Sequence, residues 1–233
     1  MVVLCYKAGE AARDFVSQVK GALEETGVPW EIVLVGNYLP GEENLDPTPR
    51  VVRELAAADS RVRAVVREKE GMMGWDARSG LAAATGRFIA LIDGDQQMPA
   101  EDLKRVWDAM RAAGADLGKT HRVLRGDGAL RLVNSRVYNL LFRVLFPGFP
   151  VKDVNSKPKI FSRTLFEQMD LSADGWFLDA EMIIKARRYR ARLVEIPTVF
   201  RECCDRKSFV RVAAIFEFLR ELLKARLREF SAK

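Results

Sequence analysis

The stretch Phe88-Ile89-Ala90-Leu91-Ile92-Asp93-Gly94-Asp95-Gln96-Gln97-Met98-Pro99 limits the fold more than any other part of the chain. Its apolar run, Phe88 to Ile92, reads as a strand buried on both faces, which belongs in the middle of a mainly parallel sheet. The run ends in two carboxylates, Asp93 and Asp95. In an open α/β sheet, ligands sit beyond the carboxyl ends of the strands, so both acids are delivered to the binding edge. Alternation along an extended chain would send residues 93 and 95 to the same side. There they could share one Mg²⁺ or Mn²⁺, hard cations that take oxygen ligands together with substrate phosphates. An Asp-x-Asp pair alone is more often a solvated turn than a metal site, so its surroundings must decide.

Those surroundings alternate strand and helix. Val2 to Cys5 read as a first strand, and a helix from about Glu10 to Glu25 is stopped by Thr26-Gly27-Val28-Pro29. Glu31 to Val35 form a second strand, Arg50 to Ala58 a helix, Arg61 to Arg67 a third strand and Trp75 to Ala84 a helix leading into the central strand. Beyond it the pattern predicts a helix over Pro99–Ala113, a short strand over Ala115–Lys119 and a mobile basic loop over His121–Gly128. A helix over Leu130–Phe146 follows, with Val133, Val137, Leu140, Leu141, Val144 and Leu145 on one side. A strand over Lys159–Phe161, a helix over Asp179–Tyr189, a strand over Arg192–Phe200 and a last helix from about Ser208 to Phe230 complete the chain. The order predicts a Rossmann-like α/β domain with a mainly parallel central sheet flanked by helices in three layers.

Composition narrows the function classes. With 48% hydrophobic and 30% charged residues among 233, the chain reads as one large soluble domain. No apolar run reaches the length of a membrane-spanning helix. Strand-like sequence from Val2 onward leaves no room for a secretory signal, so a cytoplasmic location is expected. Cys5, Cys203 and Cys204 suit neither a disulfide framework nor tetrahedral metal spacing and read as reduced thiols. His121 is the only histidine, which excludes histidine-based metal sites and triads. A net charge of +6 fits anionic partners without choosing among them.

Taken in order, Ala84-Thr85-Gly86-Arg87 with the strand and Asp-x-Asp-x-Gln-x-Pro segment that follows, Asp153-Val154-Asn155-Ser156-Lys157-Pro158-Lys159-Ile160-Phe161, and Trp176-Phe177-Leu178-Asp179-Ala180-Glu181 resemble the inverting GT-A glycosyltransferases of the family 2 type. The nearest group is that of the dolichol- and polyprenyl-phosphate mannose synthases. The resemblance covers roughly residues 2 to 208. It implies a GT-A domain over 1–207, with 208–233 as an appended basic amphipathic helix, and a metal-dependent sugar transfer from a nucleoside-diphosphate-sugar to a polyprenyl phosphate. By position, Asp93, Asp95 and Gln97 would hold the metal, and Tyr6, Asn37, Asp93, Gly94 and Asp95 would bind the donor. Asp179 and Glu181 would face the sugar. Arg122 and Arg131, with Arg136, Asn155, Lys157, Arg206 and Ser208, would meet the acceptor phosphate, and Arg201 falls in the late basic loop. If the acceptor were a hydroxyl instead, Asp153 or Asp179 would be the candidate base.

Two segments depart from the family pattern. The first strand ends in Cys5-Tyr6-Lys7-Ala8-Gly9-Glu10 in place of Pro-x-Tyr-Asn-Glu, and Gly36-Asn37-Tyr38-Leu39 stands where the family has Asp-Asp-Gly-Ser. The carboxylate that would read the nucleoside is therefore missing, and Asn37 and Tyr38 are left to hydrogen-bond or stack on a base. Gly71 and Gly74 could cradle phosphate or serve as a connector. The terminal helix, with an apolar stripe through Phe209, Val212, Ala213, Phe216, Leu219, Leu223, Leu227 and Phe230 and cations opposite, suits packing on its own domain, peripheral contact with an anionic membrane or docking of a membrane-protein partner. Tyr138 to Phe149 is a second candidate membrane-facing patch. A non-catalytic basic module on the same fold is the reading from another class. Nucleic acid is not an expected partner, since the arginines gather near the predicted metal edge and no nucleic-acid motif is present.

Overall fold

A computed structural model describes residues 1–125, 129–201 and 212–231, with side chains left out at 124–134, 202–218 and 230–233. Seven strands, β1 (Val2–Leu4), β2 (Ile32–Val35), β3 (Val62–Val65), β4 (Phe88–Asp93), β5 (Leu117–Arg125), β6 (Lys159–Ser162) and β7 (Leu193–Phe200), form one sheet in the order β3-β2-β1-β4-β6-β5-β7. β4 lies at its centre, between parallel β1 and antiparallel β6. β6 is the one reversed strand among them; β7 pairs in parallel with β5.

The helices are α1 (Ala11–Glu24), α2 (Thr48–Ala58), α3 (Met73–Ala83), α4 (Asp102–Ala113), α5 (Ala129–Leu145), α6 (Arg163–Met169), α7 (Leu178–Arg188) and α8 (Val212–Ser231). Alternation along the strands divides the core in two. Val3, Cys5, Ile32, Leu34, Ala90 and Ile92 face α1, α2 and α4, while Val2, Leu4, Val33, Val35, Ile89 and Leu91 face α3 and α5 to α8. Both sheet faces are covered, which is why β1, β2 and the Phe88–Ile92 run of β4 are apolar throughout.

Three expectations change. His121 to Arg125 are strand rather than loop, because β5 continues along β7 as far as the Arg125–Phe200 pair. Backbone pairing outweighs the basic composition there; only residues 126–128 of that loop lie outside the described residues. α6 was not expected: its seven residues are too few to show a helical period, and Ser162 caps it by accepting the Leu165 N–H at 3.2 Å. Finally, α5 has two apolar faces. Phe142, Phe146 and the following Phe149 are core, while Val137, Leu140 and Val144 point to solvent. The aromatic half of the expected membrane patch is thus interior.

Candidate functional site

The site is assembled at the carboxyl end of β4. The strand stops at Asp93, so Asp95 is placed by a turn and not by strand alternation. Gly94 donates its N–H to the Leu4 carbonyl at 2.8 Å, and a Cβ at residue 94 would sit 2.8 Å from that oxygen. Only glycine lets the turn approach the end of β1 so closely. Asp95 Oδ1 then accepts the Gln97 N–H at 3.1 Å, and Gln96, at φ +61°, donates its side-chain amide to the Ala11 carbonyl. The Gln97 amide donates to the Arg201 carbonyl at 3.3 Å, which ties this turn to the end of β7.

Because β6 runs against β4, the residues that precede it arrive at this same edge. Lys157 Nζ lies 3.0 Å from Asp93 Oδ2 and 3.0 Å from Asp179 Oδ2, and Lys159 Nζ bonds Asp179 Oδ1. Lys157 and Lys159 are buried, as is Asp179 in the first turn of α7; Asp93 keeps a third of its side chain exposed. Burial alone would raise the Asp179 pKa, but the two ammonium groups more than reverse it and hold the carboxyl below its usual range. Burial pushes Lys159 down to about 8, since Asp179 is its single carboxylate and Lys157 and Lys119 repel its charge. Lys157, shared between two carboxylates, is held above the ordinary lysine value despite its burial.

Glu181 turns elsewhere. It accepts the Ser172 and Ala173 N–H groups and the Ser172 hydroxyl, and pairs with Lys185 at 2.9 Å, so it fastens the 172–173 loop. That loop in turn accepts the Met72 and Trp75 N–H groups through the Asp174 carbonyl and holds the start of α3. Gly74 is packed against it, which makes 71–74 a fitted contact within the protein.

Beside β1, Asn37 donates to Asp76 Oδ1 at 2.8 Å and to Ser79 Oγ at 3.2 Å, and accepts the Arg67 N–H at 2.9 Å. All its hydrogen-bonding groups thus have partners inside the protein. Asp76, on α3, also takes the Lys69 ammonium, which lies 3.9 Å from the centre of the Tyr6 ring. Burial pushes the Asp76 carboxyl up, against the pull of Lys69 and Asn37. A carboxylate therefore stands in this corner after all, supplied by α3 and not by the end of β2. Sequence reading missed Asp76 and Lys69. Their signal, a Lys-x₆-Asp spacing across the 70–75 turn, is too common to notice without the fold.

The remaining basic candidates are dispersed. Arg122 bonds both oxygens of Asp153, at 2.6 and 2.8 Å. Burial would raise Asp153, but the Arg122 guanidinium and Lys119 hold it far below the usual range. Asn155 sits one turn on, its N–H on Asp153 Oδ1 at 3.3 Å and its side-chain oxygen buried with no partner among the described residues. Arg136 is exposed on the outer face of α5, away from the buried Lys157. Arg131 is described only as part of α5, and Arg206 and Ser208 lie outside the described residues.

The described residues contain no group of three or more His, Cys, Asp or Glu fit to hold a metal alone. The donor chemistry still suits a hard divalent ion. Such an ion is commonly held by one or two carboxylates and completed by substrate phosphates and water, and Asp93 and Asp95 are two acids on one turn at a ligand edge.

Several known proteins are similar to this chain. A hexosyltransferase of low-salt glycan biosynthesis from Haloferax volcanii, Agl6, is 28% identical over 192 residues, 79% of this chain and 43% of the relative. The dolichol-phosphate mannosyltransferase of Pyrococcus furiosus is 24% identical over 230 residues, 96% of this chain and 62% of the relative. The chain thus spans about half the length of these curated relatives. Among solved structures, glucosyl-3-phosphoglycerate synthase from Mycobacterium tuberculosis, in complex with Mn²⁺, UDP and phosphoglyceric acid, superposes with a TM-score of 0.69 at 15% identity, over 97% of this chain and 76% of that one. That likeness shows the fold, a GT-A sheet. The family model described as Glycosyl transferase family 2 matches residues 1–170, from β1 through the Asp93–Asp95 turn to the end of α6, and the chain belongs to that family.

Proposed function

We propose that the protein transfers a sugar from a nucleoside-diphosphate-sugar to a phosphomonoester acceptor, a polyprenyl phosphate, with inversion at the anomeric carbon. The observation that carries this reading is the pair Asp93 and Asp95 at the end of the central strand, in a chain whose family relatives include a dolichol-phosphate mannosyltransferase. Asp93 and Asp95, with Gln97 beside them, would hold Mg²⁺ or Mn²⁺. When bound, that ion would offset the charge that gathers on the departing diphosphate.

The acceptor phosphate, with a second pKa of about 6, carries its own anionic oxygen near neutral pH. That oxygen attacks the anomeric carbon as the bond to the diphosphate oxygen breaks, and the electron pair leaves with the nucleoside diphosphate. No proton has to be removed. The chain's part is to hold two anions in line, with Arg122 and Arg131 on the acceptor side. The bonds from Lys157 to Asp93 and Asp179 support a role for this lysine beside those carboxylates instead of on the acceptor phosphate.

The hydroxyl-acceptor reading is disfavoured by the same geometry. Its candidate bases, Asp153 and Asp179, already have both oxygens bonded to cations, Asp153 to Arg122 and Asp179 to Lys157 and Lys159.

The test is nucleotide release from UDP- and GDP-sugars, with Mn²⁺ or Mg²⁺ and with or without a short-chain polyprenyl phosphate, for the wild type and Asp95→Asn. Metal- and lipid-dependent release that Asp95→Asn abolishes is expected. Release that ignores both the lipid phosphate and Asp95 would overturn the proposal.

A further inference from the structure

α5 and α8 pack side by side, with Phe142, Phe146 and Leu222 fully buried between them and the sheet. Each helix then turns a second apolar stripe to solvent. Val137 (50% exposed), Leu140 (55%) and Val144 (68%) follow one another at helical spacing on α5, as do Leu223 (54%) and Leu227 (65%) on α8. Apolar side chains this exposed, on two helices packed side by side, are not accounted for by the core.

Among the described residues, the fully exposed charges around them have one sign. Arg136 and Arg143 on α5 and Arg220, Lys224 and Arg228 on α8 are exposed. α5 contains no acidic residue. On α8 the described acids are half-buried and paired: Glu221 with Lys224 at 2.9 Å and Arg220 at 3.3 Å, Glu229 with Arg187 at 3.0 Å and Arg226 at 3.2 Å. Among the described residues, the two helices present no exposed carboxylate.

We propose that this face docks the protein on an anionic lipid surface. Apolar side chains interleaved with cations match the boundary between acyl chains and anionic headgroups, where the first are buried and the second stay with phosphate. A second copy of the chain fits poorly, because it would bring the same cations against these. The inner side of α5 also reaches the acceptor end of the site: Asn139 accepts the Val154 N–H at 2.9 Å, next to Asp153 and the Arg122 pair. The face therefore sits one helix away from the loop expected to meet the acceptor. The proposal deepens the lipid-acceptor reading, yet binding to a surface is measured without any turnover.

The experiment is flotation of the full chain with vesicles of phosphatidylcholine alone and of an equal mixture with phosphatidylglycerol, at low and high salt. Wild type is expected to float with the mixed vesicles only, and less at high salt. Leu223→Glu/Leu227→Glu and Leu140→Glu/Val144→Glu are expected to lose about tenfold or more of that partition. Arg220→Gln/Lys224→Gln tests the charges alone. All are exposed side chains, so unchanged thermal melting should accompany the loss, and nucleotide-sugar turnover on a short soluble acceptor should persist. Equal flotation with both vesicle types, variants that float like wild type, or a dimer abolished by the same substitutions would each overturn the proposal. Asp95→Asn should float normally, so a failed transferase reading and a failed docking face give different results.

Discussion

Asp179→Asn probes the buried charge cluster under the donor edge. Asp179 serves Lys157 and Lys159 at once; Asp93 remains for Lys157, but no other carboxylate bonds the Lys159 ammonium. Lys159 is fully buried, so water cannot replace the lost partner. Removing one member of a buried ion pair costs about 3–5 kcal/mol. For a domain of this size, roughly 2–4 °C of melting temperature per kcal/mol makes that a drop of about 6–20 °C. The pH dependence is more telling than the drop. In the wild type Lys159 is lowered from 10.5 to about 8, so between those values the unfolded chain binds a proton that the folded chain lacks, and stability rises with pH. Below about 8 both states hold the proton and this contribution is flat. Asp179→Asn removes the group that raises Lys159, so its pKa falls further and the rising region extends below pH 8. The variant should therefore regain stability relative to wild type between pH 6 and 8, by about 1.4 kcal/mol per pH unit where the proton difference is complete. Chemical denaturation across that range measures it. Adding Lys159→Met to Asp179→Asn should restore part of the loss. A variant within about 1 kcal/mol of wild type, or one whose pH profile below 8 parallels wild type, would refute the account of a single buried carboxylate neutralising two lysines.

Other substitutions report on separate parts of the structure. Lys69→Met leaves Asp76, already pushed up by burial, without its ammonium. A carboxyl raised in the folded state stabilises at low pH and loses that contribution as pH climbs above its unfolded value of 3.8, so this variant should weaken with rising pH more than wild type in thermal melts, by up to about 1.4 kcal/mol per unit. Gly74→Ala drives a Cβ into the Ala173 and Gly175 carbonyls, backbone atoms that cannot swing aside, and should cost roughly 1–3 kcal/mol in urea unfolding. Gly21→Ala, inside α1 with nothing within 4 Å of the added carbon, should instead gain about 0.4–1 kcal/mol in the same assay. Glu181→Gln keeps the shape but removes charge from a carboxylate that receives the 172–173 N–H groups and Lys185. A loss of about 1–3 kcal/mol, with faster hydrogen exchange confined to that loop, is expected.

The fold was legible wherever burial wrote a period into the sequence. β1, β2 and the Phe88–Ile92 run of β4 are apolar throughout because helices cover both faces, and α1 and α4 carry clear stripes. The second half of β5 was not, because its pairing with β7 is made by backbone groups that tolerate His121, Arg122 and Arg125. Asp93 and Asp95 were legible as a ligand edge, though the turn and not alternation sets the second of them. The partners of the candidate residues were hidden. Lys157 lies 64 positions from Asp93, and whether such a lysine meets a substrate phosphate or a buried carboxylate depends on strand polarity, which no local pattern records. Asn37 and Asp76 are similarly 39 apart, so the carboxylate missing after β2 could not be seen to return on α3.

The reversal of β6 has a consequence for how such a site can change. A segment that runs from a parallel strand into a helix can lengthen with little effect on the ladder, because the helix connection takes up the change before the next strand pairs. The segment 151–158 has no such freedom at its far end, because Leu91 faces Lys159 in the ladder and sets where Lys157 arrives. Its near end is held as well, to α5 where Asn139 accepts the Val154 N–H, to β7 where Glu195 accepts the Lys152 N–H, and to β5 through the Arg122–Asp153 pair. Insertions between residues 147 and 150 fall ahead of all these ties, so the connection from α5 can change length while Asp153 and the lysine beside Asp93 both stay at their posts.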